Sequence, residues 1–202
     1  FMKSLSKKRR WRLRRNMRKL KEKYKVEFKK NDEFGSVKQA MTTFFQLHQE
    51  RWKSKNMPGA FASTAFSCFH LEVAERFAKK GWLGLYFLTA DGRPISAQYN
   101  FEYDKKIHQY LTGFSPEYSE YGVGHLILMC VIENCIQKGL KEYDMMRGAE
   151  PYKIVWGAKK RKNLEVRLIR KGFWARIYNW ATKSDTAVSI IQKLGVHLNI
   201  KR

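Results

Sequence analysis

Between residues 144 and 153 the chain reads Asp144-Met145-Met146-Arg147-Gly148-Ala149-Glu150-Pro151-Tyr152-Lys153, placing two carboxylates, a phenol, an ammonium and a guanidinium close together. These are the groups that acyl transfer to an amine requires: a base for the amine proton, a donor to the oxygen that gains charge, and an acid for the leaving group. Asp144 and Glu150 are the candidate bases and Tyr152 the candidate acid. Lys153 or Arg147 could hold a carbonyl oxygen or a phosphate. The same charges also read as an internal ion pair, Arg147 with Asp144 or Glu150, that anchors a loop. No covalent nucleophile is expected, since Cys130 and Cys135 fall in an apolar helical stretch.

A second group of residues precedes the first. Tyr121-Gly122-Val123-Gly124-His125 leads straight into the apolar run 126–132. A helix starting there offers unpaired backbone N–H groups and its positive dipole end to an anion such as a pyrophosphate. A plain helix start after a loop is the alternative reading. Because the helix is apolar on most sides it is expected to be buried beside a sheet, its N-terminus near a parallel strand end where α/β ligands gather.

The elements that must position these groups follow from periodicity. Residues 6–23 carry Leu13, Met17 and Leu20 on one stripe under a coat of Arg and Lys, an amphipathic basic helix that Ser4 or Ser6 can cap. It reads either as a surface helix packed on the domain or as a docking face for RNA or an acidic membrane. Residues 24–29 alternate as an edge strand. Two helical stripes follow: Val37, Met41, Phe44, Phe45, His48, Trp52, and then Phe66, Phe69, Val73, Ala74, Phe77. Strands over 82–89, 94–103 and 107–114 are separated by Asp91-Gly92 and Asp104-Lys105-Lys106, which predict an antiparallel meander. The helix 124–138 and strand 141–146 then predict a parallel crossover. A last strand over 164–169 and helices over 173–194, with an aromatic group from Phe173 to Trp180, complete the reading. The expected fold class is α/β (α+β): a mixed sheet with helices on both faces.

Lys and Arg number 41 against 18 acids, a formal charge of +23. The excess sits at the ends: residues 1–30 hold 15 basic and 2 acidic side chains, 151–202 hold 13 and 2, and 31–150 hold 13 and 14. Such ends suit an anionic partner, or simply solvate exposed helices. The three cysteines make no paired framework, so a reduced, cytoplasmic setting is expected. No stretch reaches the roughly 18 to 20 apolar residues of a membrane span. The five histidines show no metal-ligand spacing, and no metal is expected.

The order of elements is that of the GNAT acetyltransferase fold. The residues Tyr110-Leu111-Thr112-Gly113-Phe114-Ser115-Pro116-Glu117-Tyr118, Tyr121, Gly124 and 143–153 resemble the CelD/BioF-like acetyltransferase family of the GNAT superfamily. So do Leu47-His48, Arg51-Trp52, Gly59-Ala60-Phe61, Gly84-Leu85-Tyr86, 91–98, Trp156 and the basic opening. The resemblance implies a domain over 31–170 that takes acetyl-CoA or another acyl-CoA as co-substrate and acylates an amine of a sugar, polysaccharide or cell-envelope precursor. Around that domain, 1–30 would form a basic helix and first strand and 171–202 an aromatic, basic extension. The whole is expected to be the C-terminal half of a longer chain with two such halves. Tyr121 to His125 would bind the donor, and Arg51, Trp52, Phe114 and Tyr118 the acceptor. The opening Tyr121-Gly122-Val123-Gly124 departs from the Gln/Arg-x-x-Gly-x-Gly/Ala pattern usual in GNAT enzymes. The family is also similar to Fem-type aminoacyl-tRNA-dependent transferases, and a non-catalytic anion- or nucleic-acid-binding module is a third expectation. Expected partners are a small-molecule or glycan amine, an anionic membrane surface or tRNA at the basic ends, and a second copy or a preceding half.

Overall fold

The computed structural model describes residues 1–162 and Gly172. Two compact units divide the chain, Phe1–Lys159 and Lys160–Arg202, and every element below belongs to the first. The expected strand over 164–169 and the helices over 173–194 lie outside the described residues.

The first unit opens with helix α1, Lys7–Lys23, which the Ser6 side chain caps by accepting from the Arg9 amide. Strand β1, Val26–Lys30, follows. Next come α2, Val37–Lys53, and α3, Thr64–Lys79, whose N-caps Ser36 and Ser63 each accept a backbone N–H. The strands β2, Leu83–Ala90, β3, Arg93–Tyr103, and β4, Lys106–Phe114, lead into α4, Val123–Gln137, then β5, Glu142–Asp144, and the short α5, Pro151–Val155.

The sheet runs β1-β2-β3-β4-β5. Its first four strands form the expected antiparallel meander, and β4 and β5 are parallel. Asp91-Gly92 and Asp104-Lys105 all adopt positive φ, the backbone of two-residue hairpin turns. The residues of α1 and α4 pack on one sheet face and those of α2 and α3 on the other. Covered on both sides, β2 is buried throughout. Residues 1–30 belong to the same compact unit as residues 31–159, because β1 pairs with β2 and Leu13 and Leu20 of α1 enter the core shared with α4.

Two details depart from the sequence reading. In α3 the inward position belongs to His70, 4% exposed, while Phe69 is 58% exposed; the Tyr110 hydroxyl lies 3.2 Å from His70 Nε2 and gives the buried ring a partner. Strand β5 stops at Asp144 rather than 146, because the Asp144 carboxylate accepts the Met146 N–H at 2.7 Å and Met146 turns to φ 59°. Cys68 is exposed.

Two features of β4 shape the site. Its register with β3 shifts at Tyr110: Tyr99 faces Leu111 and Asn100 faces Gln109, so Tyr110 is an extra residue that resets the alternation of faces. And β5 pairs with β4 only at Lys106, Ile107 and His108; beyond these β4 runs on to Phe114 without it.

Candidate active site

A cavity of about 280 Å³ opens where β4 continues past β5. Its wall is made by Gln109, Thr112 and Phe114 of β4, by Gly122, Val123, Gly124, His125 and Leu128 at the start of α4, and by Arg51, Ser119 and Tyr152. Gln109 and Thr112 share this wall despite their odd spacing because the extra residue Tyr110 lies between them.

Gly122 caps α4 in the left-handed conformation, φ 61° and ψ 42°, and no side chain caps the helix. The His125 and Leu126 amides both return to the Gly122 carbonyl, at 2.8 and 3.2 Å. The first amides, Val123 and Gly124, have no intrahelical acceptor, and both residues line the cavity. Gly124 lets the Phe114 ring approach closely, since a Cβ there would stand 3.1 Å from it and the ring would have to give way by a few tenths of an ångström. From behind, α1 braces the turn: Asn16 Nδ2 donates to the Tyr121 carbonyl at 3.0 Å.

His125 is held from the same direction. Arg9 Nη2 lies 3.1 Å and Trp156 Nε1 3.4 Å from its Nδ1. Neither the guanidinium nor the indole can accept, so Nδ1 is the acceptor and the ring is neutral with its proton on Nε2. Burial, and then the charges of Arg9, Arg12 and Arg51, push His125 down to about 4.

Arg51 reaches the cavity from the last turn of α2. Nη1 donates to the Thr112 carbonyl at 2.7 Å, and the guanidinium lies 5.0 Å from the centre of the Phe114 ring. Its buried Nε has no hydrogen-bond acceptor, and no carboxylate pairs with Arg51 among the described residues. A guanidinium with a spare donor beside an uncapped helix N-terminus makes the cavity positive, and it suits a phosphate. The approach of α2 depends on Gly113, where a Cβ would stand 2.5 Å from the His48 backbone nitrogen.

The Tyr152 hydroxyl enters the opposite wall and accepts from Gln109 Nε2 at 3.4 Å. Tyr143 ties this pair to the interior, its hydroxyl 3.2 Å from Gln109 Oε1 and 2.9 Å from Gln98 Oε1. Burial, and then the Glu150 charge, raise Tyr152 above the ordinary tyrosine value, so its phenol keeps its proton at neutral pH.

The remaining expected site residues lie around the cavity rather than on it. Lys153 is 7% exposed; Nζ meets the carbonyls of Met146, Arg147 and Gly148 at 3.3, 2.7 and 3.4 Å and the Glu150 carboxylate at 2.8 Å. That contact with Lys153 lowers Glu150. Of the two ion pairs expected for Arg147, neither is formed within 4.0 Å among the described residues, and Lys153 takes the Glu150 carboxylate instead. Asp144 stands where β4 and β5 part, with Oδ2 at 3.6 Å from His108 Nδ1. Trp52 donates from Nε1 to His48 Nε2 at 3.0 Å. Tyr118 and Tyr121 turn toward Tyr24, with ring centres 5.5 and 6.4 Å away. Cys130 and Cys135 are pushed up to about 12 by burial and offer no thiolate. Sequence reasoning missed Gln109, Thr112, Ser119 and Leu128 on the wall, and Arg9 and Trp156 behind His125.

Residues 7–154 match the family profile described as "Acetyltransferase (GNAT) domain". No curated protein sequence matches the chain. Among solved structures, the PaiA N-acetyltransferase of Thermoplasma acidophilum in complex with coenzyme A is 15% identical, over 57% of this chain and 75% of that one, with a TM-score of 0.44. The ribosomal-protein-S18-alanine N-acetyltransferase of Escherichia coli is 12% identical, over 66% and 75%, at 0.45. The aminoglycoside N-acetyltransferase AAC(6')-Iy bound to a CoA bisubstrate analogue is 16% identical, over 74% and 99%, at 0.47.

Proposed function

The chain belongs to the GNAT acetyltransferase domain family, and from that premise we propose that it transfers an acetyl group from acetyl-CoA to a primary amine in the cavity between β4 and α4. The observation that carries the reading is the meeting of three things in one cavity of about 280 Å³: the uncapped N-terminus of α4, the guanidinium of Arg51, which pairs with no carboxylate among the described residues, and the protonated Tyr152.

The donor diphosphate would lie on the Val123 and Gly124 amides and Arg51, with the Nε2–H of His125 as a further donor. Positive potential fixed in the fold needs no reorganisation when the anion arrives. The amide-bearing arm of CoA would follow the edge of β4 past His108, where β5 no longer pairs with the backbone.

In the transfer, the amine nitrogen attacks the thioester carbonyl carbon, the C–N bond forms and the C–S bond breaks. Tyr152 gives its proton to the departing thiolate. The amine proton passes through solvent to Asp144, which stands off the cavity beside His108, and solvent returns it to Tyr152. Lys153 acts here through the backbone: it gathers three carbonyls and Glu150, and so fixes the loop that carries Tyr152 into the wall. The CelD/BioF-like resemblance narrows the acceptor to an amine of a sugar, a polysaccharide or a cell-envelope precursor.

The test joins melting with acetyl-CoA to a thiol-release assay over amino sugars, aliphatic amines and peptide amines. A ligand that binds the folded state raises Tm, and the shift should shrink in Arg51→Ala. An amino sugar should release free CoA fastest. A chain whose Tm ignores millimolar acetyl-CoA, or which binds aminoacyl-tRNA instead, does not perform this reaction.

A further inference from the structure

The outer face of α1 takes no part in the site. Of the seventeen residues of α1, Leu13 and Leu20 are buried, and Arg9 and Asn16 serve the α4 turn. The opposite arc is centred on Trp11, which is 60% exposed. Arg15 lies over its ring at 5.1 Å, and Lys7, Lys8, Arg12, Arg18 and Lys19 flank it. The one acid of the helix, Glu22, is at the far end, 3.5 Å from Arg18.

Beside this arc, α1 and α4 enclose an open groove of about 510 Å³. Met2, Met17 and Met129 lie along it, with the cations Arg14, Arg18 and Lys21 and the acids Glu22 and Glu133 at its border. Methionine side chains accept irregular apolar shapes, and the cationic arc of α1 adjoins them.

We propose that the α1 face is a docking surface for an anionic lipid bilayer, with Trp11 at headgroup depth, the Arg and Lys side chains on lipid phosphates, and the methionine groove receiving acyl chain. Two features favour lipid over nucleic acid. The apolar centre of the face is ringed by charge, as in helices that lie in a membrane interface, and the groove is lined by thioethers rather than by several aromatic rings on which bases could stack. Because α1 also holds His125 through Arg9, docking would fix the orientation of the cavity toward the bilayer.

The experiment is flotation of the full chain with vesicles of phosphatidylcholine alone and of phosphatidylcholine containing about one third phosphatidylglycerol, since basic segments gain affinity only from the negative surface. Binding is expected to the second and not the first. The double change Arg15→Glu, Lys19→Glu should lower affinity at least tenfold, and Trp11→Ala severalfold. All three side chains are exposed and outside the cavity, so Tm and the acetyl-CoA shift should stay at wild-type values, which separates this proposal from the catalytic one. The proposal is overturned by absence from the anionic vesicles, by variants that float like wild type, or by tighter binding to a short RNA at equal phosphate concentration.

Discussion

Arg9 and His125, 116 residues apart, meet at 3.1 Å, and Trp156 reaches the same imidazole nitrogen at 3.4 Å. Two donors on one nitrogen fix the tautomer, so His125 faces the cavity as a neutral donor and not as a base.

The consequence is a pH dependence. A histidine ordinarily near 6.5 is pushed down to about 4 at His125. Between these values the unfolded chain binds a proton that the folded chain refuses. Stability is therefore full above about pH 6.5 and declines as pH falls toward 4, by something on the order of 3 kcal/mol if the whole shift is expressed. His48, also near 4 through burial, adds to the same window. Tm followed from pH 7 to 4 should fall less steeply in His125→Asn. In Arg9→Ala an NMR titration should find the His125 value moved up toward 6.5; an unchanged value would remove Arg9 from this role.

Tyr152→Phe removes the proposed acid and little else, because the ring keeps its packing. The turnover number should fall about a hundredfold while Tm moves by no more than a couple of degrees. With the phenol raised above its ordinary value, the wild-type rate should not fall through Tyr152 ionisation before pH 10. A Phe variant that turns over like wild type transfers the acid role elsewhere.

Lys153→Met leaves three carbonyls and Glu150 without their common donor. Loss of a buried charge that satisfies several acceptors should cost about 3 kcal/mol in urea unfolding, and activity should fall with the loop. If the variant unfolds like wild type but is inactive, Lys153 meets the reactants directly.

Gly113→Ala drives a Cβ to 2.5 Å from the His48 nitrogen and 2.8 Å from the Leu47 carbonyl carbon, main-chain atoms that cannot rotate away. Helix α2 must retreat, at a cost of about 2 kcal/mol or more, taking Arg51 with it. A raised KM for acetyl-CoA together with a lowered Tm is expected. A lowered Tm alone would show that Arg51 does not hold the donor.

The sequence by itself determined the succession of elements: a serine cap, Ser4 or Ser6, on the first helix, the Asp91-Gly92 hairpin, the parallel return after an apolar helix, and the glycine opening of that helix. All are local, set by periodicity and turn chemistry over a few residues. Where they fell short the cause was an interaction from elsewhere, as when Tyr110 gave His70 a buried partner and turned Phe69 outward.

Only the tertiary structure decided which side chains share the cavity. The extra residue Tyr110 put Gln109 and Thr112 on one wall, and the bare backbone of Gly113 let α2 bring Arg51 against Thr112. The pairing of β4 with β5 ended at His108 and left the opening. The charged run 144–153 announced several chemical groups, yet the fold turned Tyr152 into the cavity and folded Lys153 onto its own loop. Residue type and spacing fix what a side chain can do, while its partners come from strands and helices distant in sequence, and those are set by packing.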